Sequence, residues 1–191
     1  ESKYRRRNTQ DVALGVHPCC VGFRNGFSIS AAALNHASCK FLVSLDLRDF
    51  FDSHTWTKMA TDIVNYPGIK EHEAVQVVTV LELLTTDVEG ERRLPQGSPF
   101  SPILTNLLNY RMDQDLAEIA NRHGARYSRY ADDLAFSWEL GPPDSVSQFL
   151  KEVTGVVEKH GFKVAEEKTK ISGAASRREV LGLAVNGTPS F

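Results

Sequence analysis

Long apolar runs are missing from this 191-residue chain, and without one no segment can span a membrane. Sulfur is scarce. Cys19, Cys20 and Cys39 are its three cysteines. They show no CxxC spacing, and adding His17 and His36 produces no usual zinc pattern. Buried free thiols are the expectation, in a reducing, cytoplasmic setting. Net charge is nearly lacking too: 22 Lys and Arg offset 24 Asp and Glu, leaving −2. That total does not announce a nucleic-acid binder, yet it can hide a basic groove where acidic residues gather around metals. Lys3, Arg5, Arg6 and Arg7 form one basic cluster, and Arg177 and Arg178 a smaller one. There is no internal repeat and no low-complexity segment. The first seven residues lack the apolar stretch of a signal peptide. An initiator Met is lacking as well, so a fragment or a processed chain is expected. What remains is ordinary globular composition, 41% hydrophobic and 24% charged, which excludes disorder and collagen-like repeats. The length suits one domain, or one with a small appendage.

Periodicity and punctuation predict the elements. Residues 1–27 read as irregular. Ser28–Ser38 is Ala-rich and helix-prone, with a Ser cap. Phe41–Leu47 reads as a buried strand. Thr55–Tyr66 and Glu71–Leu84 read as helices, the first stopped by Pro67 and Gly68. Leu94–Pro102, with three prolines and a glycine, reads as a loop, and Ile103–Asn121 as one long amphipathic helix. Arg126–Tyr130 and Leu134–Trp138 read as strands around a tight turn. A helix over Ser145–His160 and short strands near Phe162–Val164 and Val180–Val185 complete the chain. The order predicts an α+β fold, one antiparallel sheet with helices on one face.

Two features are out of place in that pattern. Asp46 ends an apolar strand, where a carboxylate is costly to desolvate without a partner. Asp132 and Asp133 repel each other at a turn unless water or a cation screens them. Taken singly, the first fits a strand-end Asp held by a cation or turn amides, and the second an exposed turn. Taken together, they converge if their strands are neighbours in one sheet. Three hard oxygen ligands with open positions suit Mg²⁺ and phosphoryl or nucleotidyl transfer. A nuclease would use the same carboxylates but leaves Gln96-Gly97 and Phe51 without a role.

The motifs, in order, resemble the bacterial reverse transcriptases of the retron and group II intron types, from about Gly22 to Val185. Gly22-Phe23-Arg24-Asn25-Gly26-Phe27-Ser28-Ile29 is similar to the fingers segment before the first palm strand. Leu45-Asp46-Leu47-Arg48-Asp49-Phe50-Phe51-Asp52 resembles the first catalytic motif. Leu94-Pro95-Gln96-Gly97-Ser98-Pro99, with Ser101-Pro102 and Asn106, resembles the next. Tyr130-Ala131-Asp132-Asp133 matches the catalytic turn. Gly161-Phe162 through Lys168-Thr169 resembles the following segment, and Leu181-Gly182-Leu183 the primer-grip hairpin. Departures point away from retrons proper: in Ala32-Ala33-Leu34-Asn35-His36 an Ala stands where a leading Asn is common, Leu181 stands where a Thr is common, and Ala165 where an Asn is common.

The resemblance implies a right-hand polymerase palm over 41–191, partial fingers over 1–40 and an absent thumb. It implies an RNA-directed DNA polymerase that extends a primer 3′-hydroxyl with dNTPs by two-metal transfer. The partners would be an RNA template, a DNA or RNA primer, and a thumb or other domain. Asp46, Asp132, Asp133 and the Leu47 carbonyl would hold two Mg²⁺, with Mn²⁺ as a substitute. Lys168 would act toward pyrophosphate, with Lys170 as the alternative. Phe51, beside Phe50, would exclude a 2′-hydroxyl. Gln96, Arg5 and Arg7 would meet the nucleotide. Tyr130, Gly97, Leu181 and Gly182 would meet primer and template. Arg48 and Arg129 are read as local ion pairs or nucleic-acid backbone contacts. Two other readings stay open: a defence-associated relative with template-independent or protein-primed synthesis, and an inactive RNA-binding scaffold.

Overall fold

A computed structural model of the chain describes residues 15–95 and 97–187. Its centre is strand β1, Phe41–Arg48, where Phe41, Val43, Leu45 and Leu47 face one side and are buried. Leu42, Ser44, Asp46 and Arg48 alternate onto the other side, as the strand period of two requires. β1 pairs antiparallel with β5 (Asp133–Trp138) on one edge. On its other edge lie β6 (Lys163–Val164) and β7 (Lys170–Ser172). β4 (Arg126–Tyr130) pairs with β5 and completes a five-stranded sheet.

Helices cover the first face. α6, Val146–Lys159, is capped by Ser145, whose Oγ accepts from the Gln148 amide at 3.2 Å. Its Phe149, Val153 and Val157 recur every four residues and are all buried. Phe149 meets Phe136 and Trp138 of β5 edge-on, with centroids 5.1 and 5.0 Å apart. α5, Tyr110–Arg122, adds Met112, Leu116, Ile119 and Ala120 to the same core. α2 (Trp56–Val64), α3 (Glu71–Leu84) and α4 (Ser101–Leu108) form a second cluster around Met59, Leu81 and Leu108.

The opposite face is only half covered. Helix α1, Ile29–Leu34, and the hairpin of β8 (Glu179–Val180) and β9 (Leu183–Ala184) close over Leu42 and Ala135. Ser44, Asp46 and Asp133 are left in an open groove. The α+β class and the antiparallel sheet with covering helices are as expected; the small cap on the second face completes that description.

Two local expectations are corrected, and one hairpin appears where none was expected. The helix over Ile103–Asn121 is interrupted at Asn109, which separates α4 from α5. The Asn109 side chain donates to the Thr105 carbonyl at 2.8 Å and to His54 Nε2 at 3.0 Å, a local competition with the helix backbone. A hairpin, β2 (Thr86–Val88) and β3 (Glu91–Arg93), follows α3. It turns on Glu89 and Gly90, both at positive φ, so a Glu stands where Asn or Asp would have signalled the turn. The strand expected over Val180–Val185 is folded back on itself by Leu181 and Gly182, at φ 52° and 78°. Among the described residues no helix is long and apolar enough to cross a membrane. Cys20 and Cys39 are buried thiols, and Cys19 is half-buried.

Candidate active site

The site begins with a tight turn. Tyr130 and Asp133 pair across the β4–β5 hairpin, so Ala131 and Asp132 are its two loop residues. Ala131 has φ 52°. Positive φ at the first position alone is the type II′ pattern, which normally takes Gly. An alanine there is strained by about 1–3 kcal/mol, and its methyl group is buried in the core beneath the turn. The next peptide is tied to β1, where the Leu47 amide donates to the Asp132 carbonyl at 3.0 Å.

Pairing then delivers the carboxylates. Asp46 stands directly opposite Asp133 in the antiparallel register. Such partners have Cβ atoms about 5 Å apart on one face, and like charges there repel. Asp132 adds a third carboxylate at the tip. The crowding shows in the proton affinities. Burial, then Asp132 and Asp46, push the Asp133 carboxyl up to about 6. Burial and the nearby Asp46 also raise Asp132. One cation offsets this: Lys168 Nζ donates to Asp46 Oδ1 at 2.9 Å, and that bond raises the ammonium's own affinity for its proton.

The donor set fits a divalent cation. Its oxygens are hard, and their mutual repulsion is what a cation relieves. Among the described residues no three His, Cys, Asp or Glu groups already close on one point as ligands. The carboxylates line an open shelf, and Lys168 supplies the countercharge.

Two recesses meet at Asp46 and Lys168. One, of about 560 Å³, lies along the open sheet face and is lined by Tyr130, Asp133, Leu181 and Gly182. The other, of about 390 Å³, is lined by Leu47, Phe51 and Asp132. Phe50 and Phe51 divide their roles. Phe50 is only 3% exposed and stacks on Phe162 at 5.6 Å, whereas Phe51 is half-buried. Gly97 sits at φ 83° with open space where a Cβ would be, so its backbone angle, not crowding, favours glycine. Arg48 pairs on the surface with Glu167 at 2.8 Å. Arg129 is fully buried against Asp113. Lys170 opens β7 and is exposed. Gln96, Arg5 and Arg7 lie outside the described residues.

The family description "Reverse transcriptase (RNA-dependent DNA polymerase)" matches residues 4–185. The chain belongs to the reverse transcriptase family. It is 37% identical over 198 residues to the retron Mx162 reverse transcriptase of Myxococcus xanthus, covering 91% of this chain and 39% of that protein. The retron Mx65 enzyme of the same organism is 33% identical, with 92% and 43% covered. The retron Ec86 reverse transcriptase of Escherichia coli is 32% identical, with 94% and 53% covered. This chain thus spans about half or less of the length of these relatives. These relatives carry retron names even though the chain departs from retron motifs at three places. A telomerase structure from Candida albicans shares the fold, with a TM-score of 0.62 at 15% identity over 89% of this chain and 35% of that one.

In the sequence His36 stands out only as a zinc or motif residue and His54 not at all; both are buried in the fold. His36 is fully buried, with Nδ1 2.7 Å from Ser137 Oγ and Nε2 2.7 Å from Ser128 Oγ. Burial lowers it to about 4. His54 donates from Nδ1 to the Phe50 carbonyl at 2.7 Å, and burial lowers it to about 3. Both rings fold neutral but gain a proton below pH 6.5 when unfolded. Between pH 6.5 and 4 the unfolded state therefore binds more protons at these two sites, and stability falls as pH falls. Asp133 works the other way, because its folded form takes a proton near pH 6. Asp132, also raised, works the same way as Asp133, but two fully buried histidines outweigh two carboxylates that stay partly open to water. Thermal melts at pH 7.5 and 5.0 are expected to show a lower midpoint at pH 5.0, and a larger drop in Asp133→Asn. A midpoint that rises on acidification contradicts this balance.

Proposed function

We propose that this chain carries the catalytic portion of an RNA-directed DNA polymerase. It extends a primer 3′-hydroxyl with dNTPs along an RNA template, in the cytoplasm. Residues 1–40 are part of the fingers and 41–191 the palm, with a thumb or another domain as partner. The observation that carries this reading is the pairing of Asp46 with Asp133 beside Asp132, at the junction of two recesses.

Each group has a task. Two Mg²⁺, or Mn²⁺ in their place, held by Asp46, Asp132, Asp133 and the Leu47 carbonyl, would supply charge that lowers the hydroxyl pKa and neutralises the triphosphate. Tyr130, Leu181 and Gly182 line the open face and hold the primer end. Phe51 lines the recess on the other side of Asp46 and sits against the incoming sugar. Lys168 lies on Asp46 and can turn to the leaving pyrophosphate, where an ammonium stabilises developing charge and can deliver a proton. Gln96 and Gly97 support the nascent base pair, and Arg5 and Arg7 the triphosphate.

The test is extension of oligo(dT) on poly(rA) with dTTP and Mg²⁺, repeated without template. Templated dTTP incorporation is the expected result. Incorporation that persists without poly(rA) would favour template-independent synthesis, and its absence with Mg²⁺ and with Mn²⁺, in this chain and in a longer chain that adds the thumb, would sink the polymerase reading. Phe51→Ala is expected to lower the preference for dTTP over rUTP by about tenfold or more, since a pocket that no longer crowds the 2′-hydroxyl cannot reject it. An unchanged ratio of kcat/KM values removes Phe51 from the gate.

A further inference from the structure

The largest fully buried side chain of the described residues is a cation, Arg129. Its Nε donates to Asp113 Oδ1 at 2.8 Å and its Nη2 to Asp113 Oδ2 at 2.7 Å, a bidentate fork. Its Nη1 reaches the Ala131 carbonyl at 3.2 Å and Asn106 Oδ1 at 3.5 Å. The contacts extend further. Asn106 Nδ2 donates to the Gly22 carbonyl at 2.8 Å, and the guanidinium lies 6.0 Å from the centre of the Phe50 ring. One group thus touches the carboxylate turn, α4, α5 and the strand-end loop that carries Phe51.

The contact with Ala131 has a specific consequence. A II′-type loop can convert to I′ by rotating the peptide between its two central residues, here Ala131 and Asp132. That rotation changes ψ of Ala131 and φ of Asp132 and leaves Ala131 at positive φ, so bonds to the peptide itself are what resist it. Arg129 holds the Ala131 carbonyl inward and so fixes this peptide. Leu47 holds the next carbonyl, that of Asp132, from the other side. Both peptide groups of Asp132 are therefore pinned, one by each neighbour.

We infer that the Arg129–Asp113 pair is a positioning device that sets the direction of the Asp132 carboxylate. This rests on the polymerase reading of the site for its consequence, but not for its geometry. Asp113 orients the fork, the fork holds Ala131, and Ala131 aims Asp132. Lysine cannot replace the fork, because its single ammonium cannot serve Asp113 bidentately and Ala131 together.

Two variants of the full chain test this: Arg129→Lys, and the apolar pair Arg129→Met with Asp113→Leu, which leaves no buried charge unpaired. Amide exchange provides the structural readout. The Leu47 amide reports the turn, and the Lys40 amide, bonded to the Trp138 carbonyl at 2.8 Å, reports the far end of the same strand pair. The expected result is Leu47 exchange about tenfold faster with Lys40 unchanged. Single-nucleotide extension should show kcat lower by about 10- to 100-fold at an unchanged KM for dTTP. Parent-like Leu47 exchange in a folded variant overturns the inference, as does faster exchange with an unchanged kcat. If neither the parent chain nor a longer chain with the thumb extends a primer, the polymerase reading fails by itself, and Leu47 exchange alone decides whether Arg129 holds the turn.

Discussion

Asp132→Asn is expected to lower templated extension by about a thousandfold while leaving the melting temperature equal to the parent's or above it. The two halves of this result have one cause. Asp46, Asp132 and Asp133 are held together against their repulsion; burial first, and the neighbouring carboxylates after it, raise the proton affinities of Asp132 and Asp133. Removing one charge relieves that repulsion in the folded chain and changes little in the unfolded one. The same charge is what a divalent cation and a triphosphate need, and losing one preorganised electrostatic group costs about 10²–10³ in rate. Activity and stability should thus move in opposite directions, the usual trade at a functional site. Extension assays with Mg²⁺, beside melts followed by circular dichroism, check both. A variant that melts well below the parent would mean that Asp132 is a structural turn residue. One that keeps its rate would remove it from the catalytic set.

Much of this site was legible because its elements announce themselves. The apolar run Phe41–Leu47 and the two strand pieces around Asp132 need only alternation and a turn to be read. The convergence of Asp46 and Asp133 needed more, since register between distant strands depends on the whole sheet, and the family resemblance supplied it. β7 stayed hidden because Lys170–Ser172 is three residues long and largely exposed. The break at Asn109 stayed hidden because one of the two bonds its side chain makes there is long-range, to His54. Arg129 and Asp113 left a signal that was not combined. Asp113 sits on the same helical stripe as Met112, Leu116 and Ile119, and Arg129 shares the inward parity of Tyr127. A carboxylate on one apolar face and a cation on the facing one predict each other. Read singly, each passes for a surface residue.

That pair carries the largest expected effect on stability. Asp113→Ala is expected to destabilise the fold by about 3–5 kcal/mol, because it leaves a guanidinium in the core with its best partner gone. Both side chains are fully buried, with the carboxylate 2.7 Å from Nη2. A buried lysine could escape by losing its proton; an arginine cannot. The Tyr127 hydroxyl loses its acceptor as well, since it donates to Asp113 Oδ1 at 3.0 Å. In a chain of this size the melting temperature should drop by about 6–20 °C. Replacing both partners by Met and Leu should recover most of the loss, since no buried charge is then left over. The surface pair of Lys159 and Asp115 provides the contrast. Its bond is 2.9 Å long, but the lysine is 68% exposed, and Lys159→Ala should cost under about 1 kcal/mol. Urea titrations of the three variants decide it. If Asp113→Ala costs no more than Lys159→Ala, the guanidinium is reached by water, and it cannot hold the carboxylate turn from inside a dry core.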